Sequence, residues 1–132
     1  AVLVTAGMPG VQEAFAGGLS EDFAREGLVN LVPRGTSSGY ALGRDLPAGS
    51  DSVERAWVFG HVGQVYVSVE GGPGVALEAA AAAARGATVL PVAWTGGASS
   101  GMFGFPARAL ERPRHASAEQ WALLRERAPP ED

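Results

Sequence analysis

Two side chains in this sequence have types and a spacing that could do chemistry, Glu78 and Arg55, which stand 23 positions apart. Glu78 follows the glycine-rich stretch EGGPG (70–74) and lies in an alanine-rich segment with helical spacing. A carboxylate can stabilise a developing positive charge or activate a water molecule. The planar guanidinium of an arginine suits clusters of oxygen atoms such as a phosphate. The alternative for Glu78 is a carboxylate on the solvated face of a helix.

Two glycine-rich corners share one pattern: a strand, a glycine turn, a proline, a glycine, a valine and then a glutamate inside a helix. They are TAGMPGVQEA (5–14) and EGGPGVALEA (70–79). Each corner is predicted to direct a helix N-terminus toward the carboxyl edge of a sheet. There, free N–H groups and the helix dipole favour an anion, and glycine lets the backbone approach a phosphate closely. A single such corner is more often only a turn, but two of them, each with a carboxylate, favour a binding site.

The second corner also carries a family resemblance. EGGPGVALE (70–78) resembles the PGGxGTxxE signature of the LOG family, also called lysine-decarboxylase-like or SLOG-type Rossmannoid proteins, many of which are nucleoside 5′-monophosphate phosphoribohydrolases. The family's upstream arginine lies 23 positions before the signature glutamate, which is the spacing of Arg55 from Glu78. GMPGVQEA (7–14) is similar to the GGPGIMEA form of the family's early loop, and the resemblance covers about residues 1–95.

The resemblance implies cleavage of the N-glycosidic bond of a nucleoside 5′-monophosphate to free base and ribose 5-phosphate, with no cofactor and no metal. By this resemblance, Glu78 stabilises the developing positive charge or activates the attacking water, and Arg55 orients the nucleotide. Glu13 can accept hydrogen bonds from the ribose hydroxyls. It also implies a homodimer, and one β-α unit before this point that the chain is expected to lack. The residues expected at the nucleotide and its phosphate are Gly7, Gly10, Glu13, Gly71, Gly72, Gly74 and Val75.

Three residues depart from the family pattern: Glu70 replaces the signature proline, Val75 its threonine, and Ala56 the lysine after the arginine. Glu70 adds negative charge at a helix terminus that contributes only about 0.3–1 kcal/mol toward binding an anion. Two further hypotheses therefore stay open. One is a non-catalytic relative that binds a nucleotide signal and reports it to a partner, and the other is a structural subunit that has lost its ligand. His61, on the predicted helix of Arg55, is the alternative base.

The composition excludes several functional classes. Without cysteine, the chain has no disulfide, thiolate zinc site or cysteine nucleophile, and two scattered histidines do not favour a metal site. Without lysine, neither a pyridoxal-phosphate Schiff base nor a Walker-type phosphate site can form. The net charge of −4 argues against nucleic acid as a partner. No apolar run reaches membrane-spanning length and no signal peptide is visible, so we expect a cytoplasmic protein without membrane contact. The family resemblance implies a small-molecule nucleotide as its ligand.

The apolar pattern predicts an α/β fold. Short valine-rich runs, typical of buried strands, occur at 1–5, 28–32, 65–69 and 88–92. Segments with helical spacing lie between them, at about 10–26, 51–62 and 74–85. This order is typical of a Rossmann-like three-layer sandwich with a mostly parallel sheet.

The pattern outside these elements predicts loops and one last helix. We expect a single domain over 1–132, with a core at 1–95 and a loop and C-terminal helix over 96–132. The segment 33–49 has no clear period and is predicted to be a loop. The last helix is predicted at 118–127.

Overall fold

The computed structural model describes residues 1–127, and the chain divides into two compact units, Ala1–Phe59 and Gly60–Asp132. Each unit combines α-helices with parallel strands, so the predicted α/β class and parallel strand direction are confirmed for the described residues. None of the described helices has the length and apolar character needed to cross a bilayer. A single domain over the whole chain stays a prediction.

The first unit is built on a three-stranded parallel sheet in the order β1-β2-β3. Its strands are β1 (Leu3–Thr5), β2 (Leu28–Val32) and β3 (Arg44–Pro47). All five residues of the central strand β2 are buried, as its largely apolar sequence predicts, while β3 is exposed throughout. The register pairs Thr5 with Asn30 and Asn30 with Asp45, which places three polar residues in one row across the sheet.

The predicted loop over 33–49 is wrong at β3. This strand has the sequence RDLP, with two charged residues and a proline, so it carries neither the valine-rich composition nor the alternation of a typical strand. Proline lacks an N–H for the ladder and is therefore confined largely to sheet edges. The position of β3 at the edge of the sheet accounts for this composition.

The single helix predicted at 10–26 is also wrong, because the structure has two helices there. They are α1 (Val11–Gly17) and α2 (Glu21–Gly27). The second helix begins after Ser20, whose hydroxyl accepts a hydrogen bond from the N–H of Phe23 at 3.3 Å. Ser20 followed by two acidic residues is an N-cap signal that the sequence does contain.

The third helix, α3 (Ser52–Val62), begins in the first unit and closely matches its prediction. Asp51 caps it, since its carboxylate accepts from the N–H of Glu54 at 2.9 Å. The carboxylate of Glu54 reaches back to the N–H of Ser50 at 2.8 Å. These two bonds fix the start of the helix that carries Arg55.

The second unit contains a parallel pair of strands and two helices. These elements are β4 (Val65–Val69), α4 (Pro73–Ala84), β5 (Thr88–Val92) and α5 (Ala118–Arg125). Three buried alanines of α4 pack in one cluster with Val89 of β5 and with Phe105. The small alanine side chains allow the helix to lie close to its neighbours. Short 3₁₀ turns at Ala93–Thr95, Gly97–Ser100 and Ala107–Leu110 follow β5, and α5 ends two residues before the predicted position.

Candidate functional site

A row of hydrogen-bonded polar side chains crosses the sheet of the first unit. The hydroxyl of Thr5 on β1 donates to Oδ1 of Asn30 on β2 at 2.6 Å, and Nδ2 of Asn30 donates to Oδ1 of Asp45 on β3 at 3.3 Å. Asn30 has no exposed surface, so its amide requires these partners. Sequence reasoning missed this row, although an asparagine inside the apolar run LVNLV was its signal.

The carboxylate of Asp45 also holds the segment 37–40. It accepts from the N–H of Ser38 at 2.9 Å, from the Ser38 hydroxyl at 2.6 Å and from the Ser37 hydroxyl at 3.4 Å. Desolvation acts to raise the pKa of Asp45, but the hydrogen bonds from Ser38, Asn30 and Ser37 together outweigh it and lower that pKa below its ordinary value. The ionised carboxylate therefore anchors this segment beside the sheet.

The anchored segment reaches the first glycine corner through Tyr40, whose hydroxyl donates to the backbone carbonyl of Met8. Gly7 donates its N–H to the Thr5 hydroxyl at 3.1 Å. Gly7 has φ +66°, and a Cβ there would lie 2.8 Å from Cγ1 of Val32. Gly10 has φ +93°. Both glycines are thus required by the backbone of the corner, whether or not a ligand binds.

Arg55 is buried at this corner, with 6% of its surface exposed. Its Nη1 donates to the backbone carbonyl of Ala6, and its Nη2 lies 3.8 Å from the sulfur of Met8. Its Nε is buried and has no hydrogen-bond partner among the described residues. Within residues 1–59 no carboxylate contacts the guanidinium. A buried guanidinium whose Nε lacks a hydrogen-bond partner is costly, so this arrangement is suited to receive an anion.

Glu13, the third predicted binding residue of the first corner, is exposed on α1. It borders a cleft of about 280 Å³ between α1 and the segment 39–42, which Tyr40 also lines. Burial raises the pKa of the Tyr40 hydroxyl, and the negative charges of Glu13 and Asp45 raise it further, against a hydrogen bond with Thr5 that lowers it. The cleft is therefore electrostatically negative on the side of α1.

The second glycine corner is held by the 3₁₀ turn that follows β5. The N–H of Ala98 donates to the carbonyl of Gly71 at 2.8 Å, and the N–H of Ser99 donates to the carbonyl of Glu70 at 3.0 Å. The fully buried hydroxyl of Ser99 contacts both the Ser68 hydroxyl and the Glu70 carbonyl at 2.9 Å. Ser99 thus positions the corner, a role that the sequence alone did not indicate.

Glu70 has φ +52°, in the left-handed region. Proline, which the family signature has at this position, is fixed near φ −65° and is incompatible with this turn. Gly71 follows at φ +92°, and a Cβ there would lie 2.6 Å from Cβ of the half-buried Val75. Glycine at position 71 and a residue other than proline at position 70 are therefore required by the turn itself.

Gly72 and Gly74 differ from the other corner glycines. Neither has a positive φ, and a Cβ at either position would meet nothing within 4 Å. Gly72 is the N-cap of α4 and offers no capping side chain, and Pro73 occupies the first helical position as predicted. Glycine inside a helix costs about 0.5–1 kcal/mol relative to alanine, which applies to Gly74, whereas glycine is a favoured N-cap residue and so suits the position of Gly72. Nothing in the packing or backbone of the second unit requires a glycine at position 74.

Glu78 lies in α4 with 8% of its surface exposed, between the buried residues Ala76 and Ala79. The alternative interpretation, a carboxylate on the solvated helix face, is therefore wrong. Burial of a carboxylate in an alanine-rich helix carries a desolvation cost, which is typical of functional positions. His61, the alternative base, is exposed on α3.

The structure divides the predicted site residues between the two units. The first unit holds Gly7, Gly10, Glu13 and Arg55, and the second holds Gly71, Gly72, Gly74, Val75 and Glu78. Among the residues described, no group of histidine, aspartate and glutamate side chains could hold a metal ion. No protein-family model, curated protein or solved structure matches this chain.

The role of Asp45 predicts how stability depends on pH. Because the folded pKa lies below the ordinary value of 3.8, its contribution is fully present above that value and is lost as the pH falls through the folded pKa. In urea unfolding, we expect the native protein to be more stable than Asp45→Asn, by a difference that is constant down to about pH 5 and shrinks at lower pH.

The control for this comparison is Asp22→Asn, which changes an exposed carboxylate on α2. It should show no comparable pH-dependent difference. A stability difference between the native protein and Asp45→Asn that stays constant to pH 2 would contradict the assignment.

Proposed function

We propose that this protein hydrolyses a nucleoside 5′-monophosphate at its N-glycosidic bond, releasing free base and ribose 5-phosphate. The observation that carries the proposal is the buried guanidinium of Arg55, which has Nε unpartnered and contacts no carboxylate within its own unit. A phosphate matches both the charge and the planar donor geometry of this group. Arg55 is thus proposed to hold and orient the nucleotide phosphate.

Gly74 supports the same proposal from the second unit. Since neither backbone strain nor packing accounts for it, a ligand that approaches the backbone at the start of α4 would explain the absence of a side chain there. The first turn of this 12-residue helix has no side-chain cap and can offer its N–H groups to an anion. The exposed Glu70 at the same turn opposes this attraction and limits its strength.

Glu78 is proposed as the catalytic carboxylate. Water adds to C1′ of the ribose, while the base departs with the electron pair of the glycosidic bond and takes up a proton. The transition state resembles an oxocarbenium ion, which a nearby carboxylate stabilises, and the same group can accept the proton of the attacking water. Its partial shielding from water strengthens either effect.

A nucleotide sensor without catalysis is the second candidate. It is favoured by Val75, which supplies no hydroxyl where the family signature has threonine, and by Ala56, which supplies no charge. We further propose the Rossmann-like sandwich and the homodimer that the resemblance implies. Both candidate functions use the same ligand and differ only in turnover.

The hydrolase proposal predicts release of free base from a panel of nucleoside 5′-monophosphates, measured by chromatography. Glu78→Gln should reduce the rate by about 100-fold or more, the usual magnitude for a general acid or base. Glu119→Gln, a change of an exposed glutamate on α5, is the matched control and should leave the rate unchanged.

Saturable nucleotide binding without base release from the native protein would favour the sensor. Absence of both binding and release would contradict both candidates. Thermal unfolding of each variant separates a loss of activity from a loss of folding.

Substitution of Gly74, where a Cβ would meet nothing within 4 Å, is predicted to change nucleotide affinity without lowering stability. Gly74→Ala should keep or raise the free energy of unfolding, by up to about 1 kcal/mol, because alanine favours the helix. It should nevertheless weaken nucleotide binding, since the new methyl group occupies space that is open in the structure. Calorimetric titration and urea unfolding measure the two quantities.

Gly71→Ala is the contrasting variant, because its φ of +92° and the nearby Val75 side chain oppose any Cβ. We expect this variant to lose stability. Unchanged nucleotide affinity in Gly74→Ala would contradict the proposed role of this corner.

A further inference from the structure

The cleft beside α1 has two polar side chains, those of Glu13 and Tyr40, and both are placed to accept hydrogen bonds. Its lining residues are Glu13, Ala16, Gly17, Gly39, Tyr40, Ala41 and Leu42. An ionised glutamate is an acceptor without a proton to donate. The Tyr40 hydroxyl already donates its one proton to the Met8 carbonyl, so it too has only lone pairs to offer. Among residues 1–127, no side chain with a positive charge lines this cleft.

The floor of the cleft is apolar. Ala16 is buried in a hydrophobic cluster with Ala24 and Leu28, and Tyr40 and Leu42 pack against that cluster. A volume of about 280 Å³ lies just under the range of about 300–1,000 Å³ that is usual for pockets of drug-sized ligands. The cleft therefore suits a single ring system better than a whole nucleotide.

These properties together define a complementary ligand. It is flat and largely apolar, it carries no negative charge, and it presents N–H donors at its edge. Adenine and cytosine have this character through their exocyclic amines, whereas hypoxanthine and uracil place a carbonyl acceptor at the same position. A phosphate would be repelled by Glu13 and by the nearby negative charge of Asp45.

We propose that this cleft is a subsite for an amino-bearing nucleobase and that Glu13 is its specificity-determining residue, accepting a hydrogen bond from the exocyclic amine. This inference rests on the proposed function for the identity of the ligand as a nucleotide. It changes the expected role of Glu13, because the apolar floor fits the face of a base better than the hydroxyl-rich ribose.

The test is a ¹H–¹⁵N NMR titration of the whole chain with free adenine, hypoxanthine, cytosine and uracil, and separately with ribose 5-phosphate. We expect adenine and cytosine to shift the amide signals of Gly39, Ala41 and Leu42 saturably. Their affinities should exceed those of hypoxanthine and uracil by about tenfold or more, the effect of one hydrogen bond to a charged acceptor.

Three variants sharpen this test. Glu13→Gln should abolish most of the preference for the amino-bearing bases, and Ala41→Trp should block the cleft to all four bases. Glu21→Gln, a change of an exposed glutamate in the first turn of α2, is the matched control and should bind as the native protein does. The amide spectrum of each variant shows whether it is folded.

Equal affinity for amino- and carbonyl-bearing bases, an unchanged preference in Glu13→Gln, or no saturable shift with any base would each overturn the subsite. Shifts of the same amides by ribose 5-phosphate alone would assign the cleft to the ribose and overturn it as well. The proposed function fails separately: base binding in the cleft with no release from any nucleoside 5′-monophosphate contradicts the hydrolase and leaves the subsite standing.

Discussion

The first unit depends on satisfying one buried amide. Asn30 lies in the middle of a completely buried strand, where an unpaired polar group would cost about 1–3 kcal/mol. The parallel register supplies hydrogen-bond partners for this amide, because it places Thr5 on one side of Asn30 and Asp45 on the other. Asp45 in turn anchors Ser38, and the same segment carries Tyr40 to the first glycine corner. The geometry of the first glycine corner therefore depends on the hydrogen bonds that satisfy Asn30 within the sheet.

Among the described residues, Nε of Arg55 is a buried donor without a hydrogen-bond partner. Within residues 1–59 the guanidinium contacts a backbone carbonyl and a thioether, and neither neutralises it. The glycines show a similar division. Gly7, Gly10 and Gly71 are explained by their positive φ and Gly72 by its N-cap position, whereas Gly74 is not explained by the protein around it. Residues that neither packing nor backbone conformation explains are expected at functional sites.

The sequence predicts the regular elements well where the apolar pattern is strong. The runs at 28–32, 65–69 and 88–92 are β2, β4 and β5 with the same limits in the structure, and α4 begins at Pro73 as its capping signals indicate. Strand β3 escapes prediction because its conformation comes from pairing with β2 and not from its own residues RDLP. The division between α1 and α2 was readable from Ser20 and was missed.

The site is only partly readable from the sequence, because burial depends on tertiary packing. The spacing of Glu78 and Arg55 singles them out, but nothing local shows that both are buried. The hydrogen bonds of Ser99 to Ser68 and Glu70 join segments about 30 positions apart and depend on the turn after β5. Glu13 is visible as a carboxylate, yet its place beside an apolar cleft follows from the anchored segment 37–40.

The most direct measurement is the NMR signal of the Arg55 Nε–H group during titration with a nucleoside 5′-monophosphate and with the corresponding nucleoside. We expect the monophosphate to shift this signal saturably, because the phosphate supplies the partner that Nε lacks. The nucleoside, which has no phosphate, should leave it unmoved. An Arg55 Nε–H signal that does not move while the monophosphate saturates the protein would contradict the phosphate site, and with it the role assigned to the buried guanidinium.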